Sequence, residues 1–132
     1  MANNIDGPEI TMKASATLAN YQFHIVTVDV NGRVKLADDA DDPAEALIGI
    51  LQNKPTAIDQ EAVVRIDGVA KVMGGDTVEE GIWVTCDGSG HAIAAEALDN
   101  VIGITIDALA ADKISRILLK QRFGYVIPDA TP

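Results

Sequence analysis

The chain has one cysteine, Cys86, so no internal disulfide is available to it. Lying in the apolar run Ile82 to Cys86, it reads as a small buried hydrophobe. No run of about eighteen apolar residues occurs, which excludes a helix that spans a membrane. The opening MANNIDGPEI has neither the basic nor the apolar region of a secretory signal, so synthesis and retention in a cytoplasm are expected. Aromatic residues are only 4% of the 132, which leaves little on which nucleobases could stack. The ten Lys and Arg are scattered and outnumbered by twenty Asp and Glu, a formal net charge of −10. Direct binding of nucleic acid is therefore not expected, since phosphates are held by clustered cations. The acidity reads as solubility, or as complementarity to a basic partner surface.

The elements of a catalytic site are also missing. General acid and base work needs paired groups in a pocket, whereas these carboxylates fall in turns and loops where solvation is the default. His24 and His91 have no neighbours at ligand spacing and read as isolated strand histidines. The acidic loop Ala37 to Glu45 could offer Asp38, Asp39, Asp41 and Asp42 as hard oxygen ligands to calcium. It lacks the Asp-x-Asp-x-Asp-Gly pattern with a distal Glu, so a solvated charge run is the expectation. Asp87-Gly88-Ser89-Gly90 is followed by no Lys-Ser/Thr of a phosphate loop and lacks the spacing of a nucleophile elbow, so it reads as a turn. No enzyme activity, cofactor or obligatory metal is expected.

What is present is apolar, β-branched and repeated. A hydrophobic share of 48% suffices for the core of one domain at this length. The stretch Ala46 to Val72 returns at Asn100 to Val126, with Ile48-Gly49-Ile50 matching Ile102-Gly103-Ile104. Ala62 to Ile66 aligns approximately with Lys113 to Ile117, and Ile25 to Asp29 with Ile82 to Asp87. Two copies are too few for a solenoid. One all-β domain with a duplicated β unit is expected, a small barrel or a sandwich.

In chain order, residues 1–13 hold turn formers and no sustained periodicity, so a flexible N-terminal arm is expected. The domain proper then covers 14–128, with a tail at 129–132. Phe23 to Val30 and Arg33 to Leu36 flank Asn31-Gly32, the signal of a two-residue hairpin turn. Ala46 to Leu51 is an apolar strand in which Gly49 avoids a crowded neighbour or marks a bulge. Gln52 to Glu61 crosses over, and Ala62 to Ile66 is expected to pair with Val69 to Val72 across Asp67-Gly68. Brief helical turns are expected after Pro43 and at Glu96 to Asn100, and a short turn or single helical turn at Thr77 to Gly81. Strands Val101 to Ile106, Ile114 to Leu119 and Phe123 to Ile127 follow.

From about Ala14 to Leu119 the order and spacing of these motifs resemble the capsid decoration, or head cement, proteins of tailed bacteriophages. The motifs concerned are the Val26 to Leu36 hairpin, Leu47-Ile48-Gly49-Ile50 and Val63-Val64-Arg65-Ile66-Asp67-Gly68-Val69-Ala70, then Gly75-Asp76, Gly81, Val101-Ile102-Gly103-Ile104 and Ile114 to Leu119. The resemblance implies a barrel-like domain that binds the outside of an icosahedral head as an oligomer, often a trimer, and strengthens it against the pressure of packaged DNA. The major capsid protein would be its partner, with the arm as contact through Asn3, Ile5, Pro8, Ile10 and Met12. Two other classes fit the same composition: a structural β-domain of a phage tail or baseplate, and a small-ligand-binding β-barrel.

Overall fold

The computed structural model describes residues 8–38, 46–96 and 99–119. Ten strands run in chain order: β1 (Glu9–Lys13), β2 (Ile25–Val28), β3 (Val34–Leu36), β4 (Gly49–Leu51), β5 (Glu61–Arg65), β6 (Gly68–Met73), β7 (Trp83–Cys86), β8 (Ala92–Ala94), β9 (Gly103–Thr105) and β10 (Ile114–Leu119). They form two antiparallel sheets, β1-β5-β4-β2-β3 and β6-β10-β9-β7-β8. The second order repeats the first with five added to every label. The fold is the all-β, sandwich-like alternative, and neither sheet closes into a barrel. No helix occurs among the described residues. Thr77 to Gly81 is the short turn rather than the helical one, because Val78 is already committed to Leu109 by reciprocal backbone bonds of 3.1 and 2.8 Å. The segment after Pro43, residues 97–98 of the Glu96 to Asn100 turn, and everything from Lys120 onward lie outside the described residues.

The duplication extends to single hydrogen bonds. Ile48 donates its N–H to Val26 O and Ile102 donates to Val84 O, both at 3.0 Å. Asp59 (φ 71) and Asp112 (φ 61) hold the same left-handed bend and donate to Ala14 O and Gly74 O. Phe23 (φ 68) and Gly81 (φ 80) likewise correspond, donating to Leu51 O and Thr105 O. In the last strands the true correspondence is Val64 with Ile117, as the pairing of β5 with β4 and of β10 with β9 fixes. That is two residues from the expected alignment. A slip of two preserves which face each residue points to, so the pattern alone could not detect it.

The repeated Ile-Gly-Ile has a steric cause. A Cβ on Gly49 would stand 2.2 Å from Arg65 O, and one on Gly103 would stand 2.3 Å from Leu118 O. Only glycine allows β4 and β9 to approach their neighbours so closely.

The turns depart from expectation in two places. The β2–β3 hairpin forms, but through a three-residue loop in which Gly32 N–H meets Asp29 O at 3.0 Å and Asp29 N–H meets Arg33 O at 2.8 Å. Of Asn31 and Gly32 only the glycine has positive φ, 77°. The Asp29 carboxylate accepts from the Asn31 and Arg33 amides at 2.9 Å, which favours this loop over the two-residue turn. Asp87 repeats the device toward Ser89 and His91, and the expected turn there joins β7 to β8. Asp67-Gly68, by contrast, is not a hairpin. β5 pairs with β1 and β4 while β6 pairs with β10, so this link passes the chain from one sheet to the other. Gly68 has φ 80, as a sharp reversal needs, but a local turn signal does not fix whether the strands then pair or diverge.

Each half has its own core. Val26, Val34, Ile48, Leu51 and Val64 centre the first, with Met12, Val28 and Ile66 half-covered at its rim. Their counterparts Val84, Ala92, Ile102 and Ile117 centre the second, which also takes in Ile25, Ala37, Leu47 and Ile50 from the back of the first half. Gly49→Ala and Gly103→Ala should each lower stability by about 1–3 kcal/mol through overpacking against a carbonyl. Gly88→Ala, where no atom lies within 4 Å, should stay within about 0.5 kcal/mol. Urea unfolding midpoints of the three variants check this.

Candidate functional site

The expected contact residues begin outside the described residues, where Asn3 and Ile5 lie. Pro8 is exposed and its carbonyl accepts the Ile66 N–H at 3.1 Å. Residues 9–13 of the expected arm are strand β1, paired with β5 from Glu9↔Arg65 to Lys13↔Glu61. The short alternation Ile10-Thr11-Met12 is enough for an edge strand when β5 is there to receive it. Met12 packs at the rim of the first core, and Ile10, two residues before it, is 37% exposed. The register places the ladder bonds at Pro8, Ile10, Met12 and Ala14, so the backbone groups of Glu9 and Thr11 face away from β5, while past Lys13 the chain meets β3 through the parallel bridge of Ala14 with Val34.

A second group gathers where the halves meet. His24 and His91, read as isolated, face each other with ring centroids 4.8 Å apart. Tyr21 meets His24 edge-on at 5.3 Å, and Asp87 Oδ2 lies 3.2 Å from His91 Nδ1. The sequence held half of this signal, since Asp87 and His91 share the spacing of Asp29 and Arg33. Nothing near His24 in the chain announces His91, because the two come together only when the halves pack. His24 is buried, and Gln22 O lies 3.1 Å from its Nδ1. Burial pushes its pKa down, the Gln22 carbonyl opposes that, and a charge on His91 adds to the lowering. Cys86 is buried in the second core, as expected.

Between β5 and β6 runs an open groove of about 460 Å³, lined in part by Arg65, Val69, Lys71 and Arg116. Arg65 spans it, donating to Val69 O at 3.1 Å and pairing with Glu9, and Arg116 pairs with Asp107 at 2.8 Å. The groove lies between the first sheet at β5 and the edge strand β6 of the second, so it is not the interior that a ligand-binding barrel would supply. Among the described residues no group of three or more His, Cys, Asp or Glu could hold a metal. Of the four candidate calcium ligands only Asp38 is described, exposed and 3.9 Å from Lys35 Nζ.

Residues 5–121 match the family of phage cement proteins. The chain belongs to that family. The cement protein is thus a structural protein of the phage head, as the ordering of its motifs implied. Its fold is similar to the head fiber gp8.5 N base in bacteriophage phi29, with a TM-score of 0.66 at 11% identity, covering 88% of this chain and 96% of that one. No curated protein matches its sequence.

The burial of His24 sets the sign of its contribution to stability against pH. The lowered folded-state pKa of His24 means that the unfolded chain binds its proton more readily. The contribution is fully present above the ordinary value of about 6.5 and is lost as pH falls below it. The melting temperature should therefore drop from pH 8 to pH 5, and His24→Gln should flatten that drop. Thermal melts of both proteins across the range check it.

Proposed function

We propose that this cement protein binds the outer surface of an icosahedral phage head, contacts the major capsid protein and stabilises the head, with no enzymatic activity and as a homo-oligomer, a trimer. The observation that carries the reading is the family match, which takes in nearly the whole body and the segment just before β1. The likeness to the base of a head fiber supports a place on the head over one on the tail or baseplate. An acidic body suits the outside of the shell, where it does not compete for packaged DNA.

Asn3, Ile5 and Pro8 are the residues we assign to the shell, with Ile10 and Met12 anchoring them to the body through β1. A segment leaving an edge strand can add to a sheet of a neighbouring protein, main-chain bonds supplying affinity and alternate side chains supplying fit. With each protomer of a trimer engaging its own capsid subunit, later contacts become intramolecular, and avidity exceeds single-site affinity by about 10² to 10⁴.

Deleting residues 2–7 leaves β1 whole, so the melt should be unchanged. Binding to undecorated, expanded heads should fall by at least about tenfold, or ~1.4 kcal/mol. Cosedimentation with heads and gel-shift of the particles measure it. Unchanged binding would remove the arm from the contact, and failure of the full chain to bind would remove the decoration reading for those heads.

A further inference from the structure

Two positions at which the repeated halves differ come together across the joint between them. The Gly90 carbonyl of the second half accepts the Ile25 N–H of the first at 2.8 Å, and a Cβ on this glycine would come 2.5 Å from Leu36 Cδ1 and 3.3 Å from His24 Cβ. Its counterpart Gly32 lies open, with nothing within 4 Å of such an atom. Beside His24, Phe23 O accepts the Met73 N–H at 2.8 Å. His24 stands where the second half has Ile82, since Leu51 and Thr105 donate to the carbonyls of these two at 3.0 Å each. His91 stands where the first half has Arg33, since Asp87 and Asp29 donate to those carbonyls at 2.9 and 2.8 Å. These are the two histidines of the chain, one from each half, and neither is part of the repeat.

The two imidazoles are set up alike. Gln22 O lies 3.1 Å from His24 Nδ1, and Asp87 Oδ2 lies 3.2 Å from His91 Nδ1. A carbonyl and a carboxylate can only accept, which assigns the proton of each neutral ring to Nδ1 and leaves a lone pair on each Nε2. Among the described residues no donor reaches either Nε2. Histidine ligands of metal ions are held in this way, by an oxygen on the nitrogen that does not face the ion. The ring centroids are 4.8 Å apart. Two imidazoles sharing one ion at about 2.0–2.1 Å per nitrogen, with an angle of about 100° at the ion, have centroids about 5 Å apart. Gly75 makes room for the Asp87–His91 pair, since a Cβ there would stand 2.7 Å from Asp87 Oδ2 and 2.8 Å from His91 Cβ. The first half has Ser15 at that position, donating to Val34 O as Gly75 donates to Ala92 O.

We propose that His24 and His91 bind one divalent transition-metal ion through their Nε2 atoms, and that this ion ties the first half to the second. The class is that of the ions that favour imidazole, with Zn²⁺ as the probe, over Ca²⁺ and Mg²⁺, which take oxygen ligands. Two protein ligands leave the rest of the coordination shell to water, so the ion is exchangeable, unlike the zinc of a closed four-ligand site. The His91 side chain is 23% exposed, which gives the ion its way in, and His24 is buried beside it. An ion held from both sides of the joint binds the folded chain alone and so raises its stability. The site is separate from the residues assigned to the shell, and it stands or falls without them.

The test titrates the full chain, stripped with EDTA and dialysed, with ZnCl₂ at a pH above the ordinary histidine value of about 6.5. The chain has only these two imidazoles, so their Cε1–H signals can be followed one by one by NMR. Both should move together and saturate at one Zn²⁺ per chain. The melting temperature should rise with Zn²⁺ and return on adding EDTA. His91→Gln, at a partly exposed position, should keep the wild-type circular dichroism and lose that rise. Asp87→Asn keeps an oxygen for the turn amides but removes the carboxylate behind His91, and should weaken Zn²⁺ binding by about 10- to 100-fold. Imidazole signals that stay put, or movement of one without the other, would overturn the proposal. So would a melting-temperature rise that survives His91→Gln or that Ca²⁺ reproduces, since carboxylates would then hold the ion. Should His91→Gln fail to fold, the two signals of the wild type decide on their own.

Discussion

A five-stranded sheet with strands of three to six residues cannot wrap a core completely, and the arrangement of the whole molecule follows from that shortfall. The second half is completed by Ile25 and Ile50 from the back of the first, each worth roughly 1.5–3 kcal/mol when fully removed from water. The first half receives nothing equivalent among the described residues, and Met12, Val28 and Ile66 stay half-covered. Two units of the same design thus end in different states because one stands behind the other. The close-packed Gly90 and the unencumbered Gly32 record that difference at corresponding positions.

The remaining polar contacts shape surfaces and turns more than they hold the body together. Arg33 with Asp59 and Arg116 with Asp107 are exposed ion pairs, which contribute little in water. Asp29 and Asp87 act on their own loops, each fixing a glycine-bearing turn by accepting backbone amides.

Much of this was legible in the sequence, and the rest fails for identifiable reasons. The repeat of Ile-Gly-Ile predicted the duplication and left Gly49 as a crowded position or a bulge, of which the structure shows the crowding. The Asp87 to Gly90 turn and the burial of Cys86 were equally plain. Asp67-Gly68 misled because a turn signal reports a reversal within four residues, whereas the partner of β6 is chosen by β10, far along the chain. β1 was hidden because three alternating residues carry too little pattern to be told from an irregular arm until β5 is known to lie beside them. The His24–His91 contact has no local signature at all. It exists only as a product of the joint between the halves.

One detail of that joint bears on whether the halves are separable. Phe23 adopts a left-handed backbone where its counterpart is Gly81, a conformation that costs a bulky residue of order 1–3 kcal/mol unless the surroundings impose it. Its N–H is held by Leu51 in the same half, but its carbonyl is held by Met73 in the other. The first half therefore holds a strained bend that both halves stabilise, while the second, with glycine there, carries no such strain. Duplication here has produced a leader and a follower: the first copy relies on its successor to complete the bonding at its own bend, while the glycine of the second copy makes the same bend without strain.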